Sequence, residues 1–478
     1  MKKLLSGVIA SAFGVVSLFG QDNHYEYMKL GSRNSVLANA GLPRFEDQAA
    51  VIINPATLSF AVNSSFSFNT TAVGTSRVNF ENGLGQGYDI RYMNLNVLPT
   101  TAAGVLKPKK NEKDWVLGYA LFHSINDRLR FSDRNKYEVD MINNIESPGM
   151  ETYLAQYNLS HDVDEVTAVL GVGWNVSEKL ALGVSQSFTY RSEEYLSAFT
   201  ASSIPGSDQA SIDFVTFNRN FYTRYYRILT QTKLGLAWNP GKWNIGITAT
   251  LPSIGLFGTG EVAGEVSIYN IRLSPAEPRK SYFANGRAEK QKATYKKSMA
   301  LGVGATRRFG NVRLYGAINA YSGIKNYSIM DPGPVDFIQP PTAANIAGSA
   351  NFMRVWAGNQ TVVNGSIAAD WNHDEKKHWL FSFHTDKHFA TTDDNEPGQN
   401  IVVKTWDNYH LTFGTQRVIG QSDWVIGLRY SFAQLKNAKQ PYSFDDPTED
   451  NFLQGERQTG RLVATSFQLM LSYAFSFK

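Results

Sequence analysis

Apolar and polar residues alternate in many short runs along the chain, and polar turns or longer polar stretches separate these runs. The C-terminal run is the clearest, since an aromatic or aliphatic side chain occupies every second position from Phe467 to Phe477. A strand with this period has one apolar and one polar face. The pattern predicts fourteen strands: 64–73, 88–106, 115–125, 165–174, 179–196, 221–238, 242–257, 294–309, 311–323, 361–371, 378–389, 402–418, 423–434 and 462–477.

Tryptophan marks one end of these strands. Seven tryptophans flank the short polar turns: Trp115, Trp174, Trp238, Trp243, Trp371, Trp379 and Trp424. In transmembrane barrels this side chain concentrates at the membrane–water boundary, and short turns lie on the periplasmic side. The chain is therefore predicted to be all-β, with residues 61–478 forming a 14-stranded antiparallel transmembrane barrel whose long connections face outward.

The first residues predict the cellular location of the protein. Lys2 and Lys3 precede an apolar run that ends near Phe19, which predicts a signal peptide over residues 1–20. No other stretch approaches the roughly 20 uninterrupted apolar residues of a membrane helix. The expected location is the outer membrane of a Gram-negative bacterium, with outer-membrane lipid as a partner.

The composition excludes several functions and partners. The chain has no cysteine, which excludes disulfides and thiol chemistry, and its net charge of +4 is too small to indicate a nucleic-acid partner. The predicted outer connection 258–293 and the start of the next strand are locally basic. The basic residues are Arg272, Arg279, Lys280, Arg287, Lys290, Lys292, Lys296 and Lys297. They predict either contact with lipopolysaccharide or an acidic partner, or an ordinary solvated loop.

Residues 21–60 precede the first strand and lack its alternation. Small residues dominate this segment, which carries Asp47 and Ala49 and then Asn54-Pro55-Ala56. Proline forces a bend there, and asparagine favours a turn beside it. A compact segment of this kind is predicted to fold inside the barrel.

This arrangement resembles the FadL family of outer-membrane transporters for long-chain fatty acids and other hydrophobic molecules. The resemblance implies that residues 21–60 form a lumenal hatch containing the motif of Asp47, Ala49, Asn54, Pro55 and Ala56. It also implies uptake of a hydrophobic small molecule, through a pocket near the hatch and a sideways exit through the wall. The family also includes barrels that serve secretion or protein-assembly machines, so an accessory or scaffold subunit of such a complex is the alternative.

Phasing the strands predicts a polar lumen of mixed charge, without a continuous apolar conduit. Six apolar residues are candidates for a hydrophobic entrance on the outer side: Phe214, Val215, Phe217, Ile254, Leu256 and Phe257. His384 and His410 should lie nearly opposite each other, close to Asp386. They are weak candidates for a metal site, because lumenal histidines more often bond to plug or wall. No catalytic residue, cofactor motif or nucleophile motif is evident, so an enzyme is not expected.

Overall fold

The computed structural model describes residues 23–26, 31–38, 40–43, 47–108, 115–333, 352–374, 376–393 and 396–477. The predicted signal peptide lies outside these residues. The strands are β1 (Ser65–Phe80), β2 (Ile90–Leu106), β3 (Trp115–Val139), β4 (Glu151–Ser177), β5 (Leu180–Pro205), β6 (Val215–Trp238), β7 (Trp243–Thr250), β8 (Ile254–Ile271), β9 (Lys280–Lys292), β10 (Ala300–Phe309), β11 (Val312–Tyr321), β12 (Ile324–Met330), β13 (Val355–Asn359), β14 (Val362–Asp374), β15 (Lys377–Asp386), β16 (Gln399–Asn400), β17 (Asn408–Ile419), β18 (Ser422–Lys439) and β19 (Thr459–Ser476). A helix α1 (Ala50–Ile53) and a 3-10 helix (Pro55–Phe60) precede them.

Fourteen of these strands close into an antiparallel barrel, as the sequence predicts. The circuit runs through β1 to β7, then β10, β11, β14, β15, β17, β18 and β19, and β19 returns to β1. β8 continues the wall along β6 above β7, and β9 pairs with β8. β12, β13 and β16 form a separate small sheet.

The two faces of the wall follow the alternation in the sequence. Leu301, Ile367 and Leu471 point outward and are exposed, whereas polar side chains such as Ser382 point inward and are buried. Trp115 stands opposite Trp174 at the strand ends. The outward face is therefore an apolar belt bordered by tryptophan, which is the surface that lipid requires.

Among the described residues, no helix is long and apolar enough to cross a membrane.

The strands on one side are much longer than predicted. β3, β4, β5 and β6 have 25, 27, 26 and 24 residues, whereas about 9–11 residues suffice to cross a bilayer. The predicted outer connections 126–164, 197–220 and 258–293 are therefore mainly strand, and the predicted strand start at 294–299 is not strand. Above the belt the outward face is polar, so the lipid-facing signal disappears although the hydrogen-bonded ladder continues.

The extended strands enclose a core of their own, which we call the outer core. Tyr153, Phe199 and Phe217 point inward and are fully buried. The connection after β18 packs into them: the ring of Tyr442 stacks on Phe199 with centroids 4.0 Å apart. The outer core thus consists of aliphatic and aromatic side chains that fill the space between the extended strands.

Candidate functional site

The N-terminal segment is folded around one buried carboxylate. Asp47 accepts hydrogen bonds from the backbone N–H groups of Ser32 (3.3 Å), Arg33 (3.0 Å), Asn34 (3.1 Å) and Ala49 (3.0 Å). A carboxylate that receives several backbone donors is held firmly, because these are charge-assisted bonds. Asp47 therefore ties the first part of the segment to the start of α1.

Asn54 joins the segment to the wall. Its Oδ1 accepts the N–H of Ala56 at 3.2 Å, which caps the 3-10 helix that Pro55 begins. Its Nδ2 donates to the carbonyl of Leu42 at 2.8 Å and to that of Leu236 in β6 at 3.1 Å. The triplet predicted from the sequence thus lies where the segment meets the barrel wall.

Glycines on the inner wall make this approach possible. A Cβ added at Gly183 would collide with the backbone of Pro55 and Ala56, and one added at Gly235 would collide with Asn54. Gly183 pairs with Gly235 across neighbouring strands. Only glycine permits backbone to come so close. Sequence reasoning missed this role, because a glycine in a strand does not reveal what approaches it.

A second contact lies higher in the lumen, where the described residues 23–26 touch the wall. The ring of Tyr25 stacks between Tyr321 and Phe389, with centroids 3.9 and 4.1 Å away. Its hydroxyl donates to Ser298 Oγ at 2.7 Å. Glu26 accepts hydrogen bonds from Asn319 (3.0 Å) and Tyr321 (2.7 Å).

A cavity of about 240 Å³ lies between these two contacts. Its lower wall includes Leu42, Ile52 and Ile53 of the N-terminal segment, and its sides include Phe122 and Val169. Its polar lining includes Lys233, whose Nζ donates to the carbonyl of Ile52 at 2.6 Å. The cavity is thus bounded partly by the segment itself, so movement of the segment changes its size.

The barrel wall is interrupted between β2 and β3. These strands pair only from Thr101–Phe122 to Leu106–Leu117, although β2 continues to pair with β1 and β3 with β4 far above this point. Pro99 has no N–H to donate where the ladder stops. Above it, Tyr92 donates its hydroxyl to the carbonyl of Arg128, which bridges the two strands. We call this interruption the β2–β3 seam.

A second cavity, of about 120 Å³, lies behind the β2–β3 seam. Tyr92 of β2 and Asp127 of β3 both line it. His24 and Ser124 line this cavity and the larger one. The two cavities therefore adjoin and lead from the centre of the lumen to the seam.

A buried cluster of charges forms one side of the larger cavity. The guanidinium of Arg191 is fully buried and pairs with Glu193 at 2.9 Å and Glu165 at 3.4 Å. It lies 4.1 Å from the centroid of the Tyr295 ring. Lys297 pairs with Glu165 at 2.5 Å. Glu193 lies two residues away in β5 and Glu165 stands opposite Arg191 in β4, whereas Tyr295 and Lys297 come from the segment after β9. Sequence reasoning did not predict this cluster.

The two candidate metal-binding histidines meet as expected. His384 pairs directly with His410 across β15 and β17, and their rings stack 4.4 Å apart. Arg429 donates from Nε to His410 Nδ1 at 3.1 Å and contacts His384 Nε2 at 3.3 Å. Among the described residues no cluster suits a metal ion. A guanidinium, rather than a cation site, therefore engages both imidazoles.

The six residues predicted as a hydrophobic entrance do not share one surface. Val215 and Phe217 are buried in the outer core. Phe214 is exposed and stacks on Tyr269 at 4.8 Å. The remaining three, Ile254, Leu256 and Phe257, are exposed at the start of β8. The alternation within β6 turns two of the six inward, which the loop assignment of residues 197–220 concealed.

The predicted basic connection is largely neutralised within the protein. Arg279 pairs with Glu146 (2.7 Å) and Glu449 (2.6 Å). Arg287 pairs with Glu261 at 2.6 Å. These guanidinium groups are thus matched by carboxylates within the protein, and most of the predicted connection is strand rather than loop.

No family model and no curated protein match this chain. Solved structures match it over almost its full length. A Pseudomonas aeruginosa FadL homologue matches with a TM-score of 0.53 and 12% identity, over 92% of this chain and 98% of that one. A deltaS2S3 mutant of TodX, a monoaromatic hydrocarbon channel, gives 0.56 and 15%, over 95% and 100%. The P. putida toluene transporter TodX gives 0.51 and 13%, over 94% and 98%. The chain therefore has the fourteen-stranded fold of FadL-type barrels.

Proposed function

We propose that this protein takes up hydrophobic small molecules across the outer membrane of a Gram-negative bacterium, with residues 21–60 as a hatch. The observation that carries the proposal is the cavity of about 240 Å³ between the N-terminal segment and the wall. Solved structures of the same fold include a toluene transporter and a monoaromatic hydrocarbon channel, which supports a ligand of that hydrophobic class.

The cavity offers apolar surface to a hydrophobic molecule, beside a polar side that includes Glu165, Lys233 and Lys297. Leu42, Ile52, Ile53 and Phe122 supply apolar surface, and each CH₂ group moved from water onto such surface contributes ~0.8 kcal/mol. The second cavity and the β2–β3 seam supply a sideways route between lumen and membrane, as the family resemblance implies. The outer core blocks a straight path along the barrel axis, so the seam is the route we favour.

Filling the cavity tests the proposal. Ala300 lines the cavity, whereas its neighbour Leu301 faces outward. We expect Ala300→Trp to abolish uptake of labelled toluene or a medium-chain fatty acid by intact cells, since the indole occupies the ligand's space. Leu301→Trp is the matched control and should leave uptake unchanged. Equal uptake by the two variants, at equal levels of folded protein, would contradict transport through this cavity.

A role as a scaffold subunit of an outer-membrane machine is the second candidate. Within the part of the chain that the structure describes, β9 pairs with β8 alone and ends the extended sheet. An edge strand of this kind accepts a further strand from a partner. Purification from native membranes followed by mass spectrometry separates the two functions: a stoichiometric protein partner supports the scaffold, and a co-purified hydrophobic molecule supports uptake.

A further inference from the structure

Two exposed arginines flank the β2–β3 seam. Arg77 of β1 is exposed, stands opposite Met93 of β2 and also lines the second cavity. Arg128 points outward from β3, and its carbonyl accepts hydrogen bonds from Tyr92 and Asn94 of β2. Across the described ranges, neither guanidinium takes part in an ion pair or hydrogen bond. We call these two residues the seam arginine pair.

The neighbouring charges do not neutralise this pair. Arg91 is matched by Asp89 at 2.9 Å. Asp162 stands opposite Arg128 in the ladder, but its carboxylate pairs with Arg130 at 2.8 Å. The seam therefore carries two surplus positive charges on its outward face. This differs from the basic connection predicted from the sequence, whose arginines pair with glutamates.

The seam arginine pair lies at the outer boundary of the apolar belt. From Trp115 to Leu121, the outward side chains of β3 are apolar. A strand needs about 9–11 residues to cross the bilayer, so β3 leaves the membrane near residue 125. Arg128 follows just beyond that point. On β2, Met93 and Leu95 are 72% and 64% exposed, so apolar surface reaches the same level. Cationic groups beside exposed apolar groups at the edge of the belt match a lipid with an anionic headgroup.

We infer that the seam arginine pair binds the phosphate of lipid A in the outer leaflet. Guanidinium groups form bidentate, charge-assisted hydrogen bonds to phosphate, and acyl chains of the same lipid cover Met93 and Leu95. The occupant is a lipid rather than a soluble anion, because the exposed apolar side chains lie beside the charges. The inference rests on the outer-membrane location proposed above and does not depend on transport.

Native mass spectrometry of the detergent-purified barrel with added lipid A tests this site. We expect the double variant Arg77→Gln/Arg128→Gln to retain lipid A roughly tenfold less well than the unaltered protein, because two charge-assisted contacts are lost. The matched control is Arg134→Gln/Lys136→Gln, which removes two exposed charges from the outward face of β3 above the belt. This control should retain lipid A normally. Folding of all forms is checked by heat-modifiable migration in electrophoresis.

The headgroup is tested with lipid A from which both phosphates have been removed. The unaltered protein should retain this lipid as weakly as the double variant retains intact lipid A. Equal loss in both double variants, or equal retention of the phosphorylated and dephosphorylated lipids, would overturn the inference. Uptake by Ala300→Trp is measured separately, so a failed transport proposal leaves the lipid result interpretable, and the reverse also holds.

Discussion

At the scale of single residues, the N-terminal segment contacts the inner wall through its backbone and a short side chain, and not through long side chains. Asn54 reaches the carbonyl of Leu236, and Gly183 leaves room for the backbone of Pro55 and Ala56. A contact of this kind tolerates little added volume, because packed interiors have few voids and extra methyl groups force shifts. The position of the segment thus depends on glycines of the wall.

Replacing Gly183 by valine tests this dependence. The new Cβ would overlap the backbone of Pro55 and Ala56, so we expect the segment to be displaced at a cost of ~1–3 kcal/mol. The measurement is proteolysis of the N-terminal segment in the folded barrel, which should become faster. Gly316→Val is the control, since a Cβ there meets no other atom within 4 Å. Equal protection in both variants would count against a close fit at Gly183.

Some positions and contacts of individual residues could be predicted from the sequence, and others could not. The Asn54-Pro55-Ala56 triplet was singled out by the family resemblance, and the bend at Pro55 and the turn at Asn54 by local conformational preferences. The facing of His384 toward His410 followed from strand period and hairpin register. The position of Arg429 beside both rings could not be predicted in this way, because Arg429 belongs to β18 and its contact depends on the rotamer of a long side chain. The cluster around Arg191 was missed because Tyr295 and Lys297 reach it from the segment after β9, which is remote in the sequence.

At the scale of strands, the alternation predicts faces reliably where lipid makes one face apolar. Leu471 lies near the middle of the membrane part of β19 and is exposed on its outward face. Above the belt the contrast reverses: β5 has Thr200 and Ser202 outward but Phe199 inward. The continuation of β3 to β6 beyond the membrane was therefore assigned to loops, although the residues form ladders there.

Arginine substitutions on the two parts of the wall should differ sharply. Leu471→Arg places a charge near the bilayer midplane and should destabilise the barrel by ~2–4 kcal/mol. Thr200→Arg lies on the outward face of the extension in water and should change stability by less than about 0.5 kcal/mol. Urea unfolding in lipid vesicles measures both. A similar penalty at the two positions would show that the belt has been placed at the wrong height.

At the scale of the whole molecule, we propose that two seals close the lumen in series. The described part of the N-terminal segment packs inside one half of the barrel, which we propose is the periplasmic half, and the outer core fills the other half. The cavity of about 240 Å³ lies between them, and the β2–β3 seam opens at its side. On this proposal, movement of the segment alone connects the cavity with the periplasm and leaves the outer seal intact.

Single cysteines test this arrangement cleanly, because the chain has none of its own. Thr248 lines the cavity, whereas Ala201 lies in the outer core. In the full chain we expect neither Thr248→Cys nor Ala201→Cys to react with a hydrophilic thiol reagent. After deletion of residues 21–60, only the cysteine at position 248 should be labelled from the periplasmic side. Labelling at position 201 as well would mean that the two halves are not sealed independently.

In the proposed outer-membrane orientation, the length of β4 sets how far the protein reaches from the cell. A strand of 27 residues tilted as in other barrels rises roughly 65–70 Å, of which the apolar belt takes roughly 25 Å, so its hairpin tips stand roughly 40 Å above the bilayer. That height exceeds the lipid headgroups and carries the tips into the surrounding sugars. A bacteriophage, an antibody or another cell surface therefore meets the hairpins first, and the seam stays shielded beside their base.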